Sequence, residues 1–349
     1  MWLSIGKKVV RRLLRMLVRP LRNRFFRRFQ QARAGNGVVI VSGSVVPFGS
    51  PQTASAAGRT LNIVAHEDDD LLFLSPDLLH AIQAGRTVAT VFLSAGDAGK
   101  CVTYWKGREA GARAAYARMC GVANTWTQTD AGIPGYPIPV FTLTERPSIS
   151  LAFLRLPDGN IDGSGFPSTN HETLQKLWTG SISAIHALDG SSSYTKETLT
   201  SVLVSLISSF QPDQVNMQDY VGTFGDGDHS DHHVTAYLVQ TALQQYATPH
   251  SFTGYDDYHT SSLPANVSGT DLKGKRKAFF AYALNDADVC GSTCTCIGSD
   301  YGAWLKRQYT VGSGSGGGQQ SEVANSSDLT LAATTTASSQ DNESKSIRI

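Results

Sequence analysis

The chain has no acidic residue before Glu67, and this is the most informative absence in its 349 residues. Twelve basic residues occupy that stretch, so the formal net charge of +1 averages two unlike parts. From Glu67 onward there are 18 basic and 29 acidic residues. An acidic bulk repels phosphate, which excludes a uniformly basic nucleic-acid-binding protein. Also absent is any run of the roughly 20 apolar residues that a membrane-spanning helix needs, which excludes a multi-pass membrane protein. Charged residues are sparse at 17%, against 41% hydrophobic, and this globular composition excludes a wholly disordered chain. There is no internal repeat.

Cysteine is scarce too. Cys290, Cys294 and Cys296 share a Gly/Ser/Thr-rich loop, and Cys101 and Cys120 lie elsewhere. With no Cys-x-x-Cys pair and no fourth clustered ligand, a local disulfide is expected rather than a second metal, and it agrees with an exported protein. The odd count leaves at least one cysteine unpaired or bonded outside this chain. Cys120, inside a helical pattern, reads as a small buried hydrophobe.

Two end segments differ from the middle. In residues 1–33, Val9, Val10, Leu13, Leu14, Leu17 and Leu21 recur at three- and four-residue steps between arginines, a basic amphipathic pattern interrupted at Pro20. Three readings are open. One is the basic start of an export signal, followed by a weak apolar segment at 37–48 and the small-residue cleavage pattern Ala54-Ser55-Ala56. Another is a segment that stays attached and lies on an anionic membrane surface. The third is a leader with no role. Export is the first expectation, giving a secreted or cell-surface protein, with membrane association through residues 1–33 as the alternative. From Gly312 the chain is dominated by Gly, Ser, Thr, Asn and Gln, too polar to offset the entropy of ordering it. The expected organisation is a leader at 1–57, a single folded domain at 58–311 and a tail at 312–349.

Within the domain, apolar strand-like runs (60–65, 87–93, 149–154, 214–217) alternate with helical patterns (71–84, 106–120, 196–210, 234–246). That alternation predicts an α/β fold with a mostly parallel sheet covered by helices on both faces. In such sheets ligands bind at the carboxyl ends of the strands.

The chemistry-bearing residues fall at those ends. His66-Glu67-Asp68-Asp69-Asp70 follows the first strand. Four successive carboxylates repel one another, each close pair by about 1 kcal/mol even in water, and a cation would relieve this. A second cluster, Asp226-Gly227-Asp228-His229-Ser230-Asp231-His232-His233, leads into the helix at 234. Imidazole nitrogen with carboxylate oxygen suits Zn²⁺, and three protein ligands leave a position for water. Asp68 then fits a general base, and a further histidine an oxyanion donor. A solvated acidic turn capping a helix, and a polar loop with an N-cap, are the plain alternatives for the two clusters. His232 and His233 cannot both aim at one ion, because helical neighbours face about 100° apart.

These motifs, with LSAGDAG at 93–99, GREAGARAAYARMCGV at 107–122 and LRLPDG at 154–159, resemble the PIG-L/LmbE-like zinc-dependent N-deacetylases over about residues 60–305. The resemblance implies a Rossmann-like fold and removal of an acyl group, usually acetyl, from an amino sugar such as N-acetylglucosamine. It places His66, Asp69 and His232 as ligands of one metal ion and Asp68 as the base. It places His229 as the oxyanion-stabilising histidine, with Asp231 orienting it. Zn²⁺ is the expected ion, and Fe²⁺ fits the same donors. Arg108 and Asp158 match the family's arginine-bearing helix and its Leu-Pro-Asp-Gly loop, and are candidates for sugar hydroxyls; a surface helix charge and a turn residue are their plain readings. Glu67 stands where proline is usual, Asp70 where glutamate is usual, and Gly227 where some relatives carry tyrosine.

Tyr104, Trp105, Trp126, Tyr136, Tyr255 and Tyr258 are candidates for sugar platforms or for core, with Trp126 read as core. The expected function is zinc-dependent hydrolysis of an N-acylated amino sugar or glycoconjugate. A glycoside–thiol conjugate amidase of the same family, and a carbohydrate-binding protein with a structural metal, are the alternatives.

Overall fold

In the computed structural model the described residues are 37–45, 48 and 57–318. Residues 1–33, the Ala54-Ser55-Ala56 pattern and the chain after 318 lie outside them. In chain order the elements are β1 (Gly37–Val45), β2 (Arg59–Val64), α1 (Asp69–Leu72), α2 (Asp77–Gln83), β3 (Thr87–Ser94), α3 (Val102–Cys120), β4 (Thr125–Asp130), β5 (Pro139–Leu143) and β6 (Ile149–Leu156). There follow α4 (Leu174–Trp178), β7 (Ile185–His186), β8 (Ser193–Tyr194), α5 (Lys196–Phe210), β9 (Gln214–Met217), α6 (Ser230–Leu243) and β10 (His250–Tyr255). The last are α7 (Gly269–Tyr282), α8 (Asp300–Trp304) and β11 (Thr310–Gly316).

Nine strands form one sheet in the order β1-β4-β5-β6-β3-β2-β9-β10-β11. The central pairs β6–β3, β3–β2, β2–β9 and β9–β10 are parallel, whereas β4–β5, β5–β6 and β10–β11 are antiparallel. This is the expected α/β architecture in a single domain. The central strands read as continuous apolar runs because both of their faces are covered. On β3, Ala89, Val91 and Leu93 join the core under α5 and α6, while Val88 and Phe92 join the core under α3 and α7. Gly111 permits the close approach of α3 and α7, since a Cβ there would lie 2.6 Å from the Tyr282 ring.

A polar ladder crosses the sheet centre. Asn216 Nδ2 donates to Asn62 Oδ1 (2.9 Å), and Asn62 Nδ2 donates to Thr90 Oγ1 (3.0 Å). Thr90 in turn meets the Tyr116 hydroxyl, which donates to Asp70. Buried polar groups need partners, and this chain of bonds ties the acidic turn after β2 to the core.

Both domain boundaries differ from the sequence reading. Residues 37–45, read as the apolar part of the leader, form an edge strand parallel to β4, and Phe48 is buried with its ring 5.7 Å from that of Phe210. A valine-rich run serves a sheet edge as well as it serves an export signal. At the other end, Thr310–Gly316 continues past the expected limit at 311 as β11. Strand pairing uses the backbone, so a Gly/Ser composition conceals it. The helix expected over 71–84 is two helices, because Pro76 lies between them and cannot donate to a continuing helical ladder. The helix expected from 234 begins four residues earlier, with His229 as its N-cap accepting from the Asp231 backbone N–H.

Candidate metal centre

The carboxyl ends of β2, β3, β6 and β9 point to one side of the sheet. Loops from the first three supply His66–Asp70, Gly96–Asp97 and Asp158–Gly159. The loop after β9 and the first turn of α6 supply Asp228 to His232. Of these, His66, Asp68, Asp69, Asp158 and His229 line a cavity of about 190 Å³, together with Arg108, Tyr104, Asp286, Asp288, Tyr258, Tyr301 and Trp304.

His66 and His232 are built alike. His66 Nδ1 is 3.1 Å from Asp69 Oδ2, and its Nε2 is 3.2 Å from Asp231 Oδ2. His232 Nε2 is 3.3 Å from Asp69 Oδ1, and its Nδ1 donates to Asp228 Oδ1 at 2.9 Å. Each imidazole therefore has one nitrogen facing the shared Asp69 carboxylate and the other facing a separate carboxylate. That is the arrangement in which a carboxylate behind a histidine orients it for a metal ion. Burial works against charge on both rings, yet Asp69 and the carboxylates behind them prevail. His66 is raised to about 10, and His232 is raised well above its ordinary value. Asp69, despite burial, is held well below the usual range by His232 and His66.

The donors fit a divalent cation. His232 is fully buried, and its Nε2, 3.3 Å from Asp69 Oδ1, makes no well-aligned hydrogen bond among the described residues, so a metal bond would satisfy it. His66, His229 and His232 also offer ring nitrogens that lie within 4.8 Å of one another. Nitrogen with carboxylate oxygen is the donor chemistry of Zn²⁺ and its first-row neighbours. His233 faces elsewhere, with Nε2 at 3.2 Å from Asp226 Oδ2 and Nδ1 at 3.2 Å from the Asp219 carbonyl.

Asp68 stands beside this cluster. Arg108 Nη2 donates to its Oδ1 at 2.5 Å. Burial raises the Asp68 carboxyl to about 6, against the opposing pull of Arg108. Arg108 is itself held by the Tyr282 hydroxyl (2.7 Å from Nε) and the Gly96 carbonyl (2.7 Å from Nη1). Its nearest partners are thus protein groups, and its position matches a holder of Asp68. Glu67 is fully buried with Oε2 at 3.4 Å from Arg108 Nε, and burial pushes its carboxyl up to about 8.

His229 and Asp158 face the cavity. The His229 Nδ1 accepts from the Asp231 backbone N–H at 3.2 Å, so the ring proton sits on Nε2, which is 3.4 Å from Asp158 Oδ1. The resemblance gave the Asp231 side chain the task of orienting His229. In the structure that carboxylate is 3.9 Å from His229 Nδ1 but 3.2 Å from His66 Nε2, and it accepts from Gly159 N at 2.8 Å. That carboxylate lies nearer to His66, and the bond to His229 Nδ1 comes from the Asp231 main chain. Asp158 is held low by His229 and His66 against the cost of burial.

Among the aromatic candidates, Tyr104 and Tyr258 line the cavity, while Trp126 and Tyr255 are core. Tyr258 stacks on Trp304 at 4.7 Å between centroids, and its ring is 5.0 Å from that of His232. Sequence reasoning missed Tyr282, Asp286, Tyr301 and Trp304, which come from a region without a recognisable motif. Asp257 was missed too; it lies 3.7 Å from His232 Nδ1. The expected disulfide is Cys290–Cys296, next to α8, and Cys101, Cys120 and Cys294 are free.

A sequence profile of the family described as PIG-L, GlcNAc-PI de-N-acetylase, matches residues 61–243. No curated protein matches the chain. Among solved structures it is similar to 4-carboxy-2-hydroxymuconate hydratase from Pseudomonas putida, at 13% identity over 71% of this chain and 81% of that one, with a TM-score of 0.38. It is similar to a deacetylase of the teicoplanin biosynthetic pathway at 14% identity over 71% and 88% of the two chains, with a TM-score of 0.38. It is also similar to N,N'-diacetylchitobiose deacetylase from Pyrococcus horikoshii at 17% identity over 74% and 83%, with a TM-score of 0.37.

Proposed function

Because this chain belongs to the PIG-L family, whose profile spans more than half of its residues, we propose that it is a zinc-dependent hydrolase removing an N-acetyl or other N-acyl group from an amino-sugar substrate. The observation that carries this reading is the meeting of His66, Asp68, Asp69 and His229 at one cavity on the carboxyl side of the sheet, with the buried His232 against Asp69 just behind its wall. His66, Asp69 and His232 would hold one ion per chain; Fe²⁺ suits the same donors.

When bound, zinc polarises a carbonyl and brings water towards a neutral pKa. The chain's own groups handle the protons. Asp68 takes a proton from the attacking water, whose oxygen bonds to the amide carbon. It then passes that proton to the nitrogen as the C–N bond breaks, leaving a carboxylic acid and the sugar amine. The His229 Nε2–H donates to the oxygen on which negative charge develops. Asp158 accepts from sugar hydroxyls, and Tyr258 with Trp304 gives the ring a flat apolar wall.

Purified protein is expected to bind close to one zinc ion and to release acetate from N-acetylglucosaminyl compounds. An Asp68→Asn variant should keep the metal and lose ~10²- to 10⁴-fold in turnover. Unchanged turnover in that variant removes the base role, and no acyl release from any amino sugar sinks the hydrolase reading. A thiol-bearing amine as the preferred product would instead favour the glycoside–thiol conjugate amidase. Export, with residues 1–33 as a targeting or membrane-contact segment, completes the proposal. The Cys290–Cys296 disulfide supports it, since disulfides persist in oxidising compartments. Sequencing the mature N-terminus tests it.

A further inference from the structure

Among the described residues, five carboxylates line the cavity (Asp68, Asp69, Asp158, Asp286 and Asp288), and Arg108 is the one Lys or Arg side chain in its lining. Arg108 is taken up by protein groups: Asp68, the Gly96 carbonyl and the Tyr282 hydroxyl hold it, and Glu67 and Asp286 each stand 3.4 Å from Nε. At the rim, Lys100 lies over the Tyr104 ring at 4.2 Å but is paired with Asp288. Asp286 is fixed towards the same space by the Tyr282 and Tyr104 hydroxyls, at 2.7 and 3.2 Å. A divalent ion added to this lining still leaves acids in excess of positive charges. With the ion taken up by the acyl group, a phosphate or carboxylate beside it would meet no free Lys or Arg among the described residues of the lining and would lose its hydration, a large cost without a partner. The stacked Tyr258–Trp304 pair offers a surface for an uncharged ring face instead.

We propose that the cavity selects uncharged or amine-bearing N-acylated amino sugars, such as a partly de-N-acetylated oligomer, and rejects those carrying phosphate or carboxylate beside the acyl group. This rests on the hydrolase reading above for its reaction, but not for its binding preference. Asp286 and Asp288 are the residues that set the preference, through the field at the mouth of the cavity.

The test compares three compounds with the zinc-loaded enzyme: the N-acetylglucosamine dimer, the same dimer with one free amine, and N-acetylglucosamine 6-phosphate. Acetate release should favour the first two by roughly tenfold or more in kcat/KM. An Asp288→Asn variant, which frees Lys100, should narrow that ratio by about fivefold, the effect of one unit charge at about 4 Å in water. Equal or better turnover of the phosphorylated sugar overturns the inference while leaving the hydrolase reading intact. Melting curves give a second readout on the Asp68→Asn protein. Glucosamine dimer should raise the melting temperature and glucosamine 6-phosphate should not. If no compound is hydrolysed, the hydrolase reading falls, and the melting curves alone decide the preference. Stabilisation by the phosphorylated sugar, or none by the amine-bearing one, overturns it.

Discussion

Arg108 Nη2 lies 2.5 Å from Asp68 Oδ1, so the candidate base is clamped by a guanidinium from a helix 40 residues away. Three of the guanidinium's donors are used at once, on Asp68, Gly96 and Tyr282. A lysine has the charge but not the fork. Arg108→Lys is therefore expected to keep the fold and the metal while kcat drops ~10- to 100-fold, in the range that a misplaced catalytic group costs. Steady-state kinetics with metal analysis on the same sample checks this, and kcat within twofold of wild type would count against the clamp.

Asp228 accepts from His232 Nδ1 at 2.9 Å and so fixes which nitrogen faces Asp69. Asp228→Asn weakens that hold. Carboxylates in this position contribute about 10- to 100-fold to metal affinity. A chelator competition series should show a loss of that size with the circular dichroism spectrum unchanged. Identical affinity would show that Asp228 is not needed to set the ring.

Gly159 has an ordinary backbone conformation, and its need for glycine comes from crowding. A Cβ there would lie 2.4 Å from Asp231 Oδ1 and 2.9 Å from Ser230 Oγ. Gly159→Ala should push the Asp231 carboxylate off His66. Both metal affinity and kcat/KM should fall. Wild-type kinetics in this variant would mean that Asp231 has room to move.

Lys275 is fully buried in α7, and its ammonium donates to the carbonyls of Arg307 (2.6 Å) and Trp304 (3.2 Å). Burial lowers its pKa to about 7, whereas an unfolded lysine titrates near 10.4. Below pH 7 both states carry the proton, and the burial cost is borne in full. Between about 7 and 10.4 the unfolded state binds a proton that the folded state does not, so this group makes stability rise with pH there. The full effect is of order 4 kcal/mol. Lys275→Met should flatten that rise in urea unfolding measured from pH 6 to pH 10. Parallel curves for the two proteins would exclude it.

The two motifs at residues 66–70 and 226–233 were legible because metal chemistry needs particular donor types, and because both follow strands whose apolar runs are visible. The Arg108 position was legible as a helix charge, but its partner was not. Asp286, Tyr301 and Trp304 reach the cavity only because α7 packs on α3 and carries the 286–304 segment over the strand ends. Nothing in local periodicity encodes such a contact. The edge strands were lost for a different reason. In β11 the pairing is made by main-chain groups of Gly and Ser, and β1 shares its composition with an export signal.

By itself, the sequence determined the fold class, the acid-rich character of the folded part and the donor types of the candidate metal centre, because burial periodicity and side-chain chemistry are local properties. Tertiary structure decided which carboxylate serves which imidazole. It put Asp231 behind His66, Asp228 behind His232 and Arg108 against Asp68, pairs separated by 165, 4 and 40 residues. The first follows from how loops at the ends of neighbouring strands converge, the second from the first turn of α6 and the third from the packing of α3 beside the turn after β2, and an order of strands that departs from the order of the chain cannot be read from either motif alone.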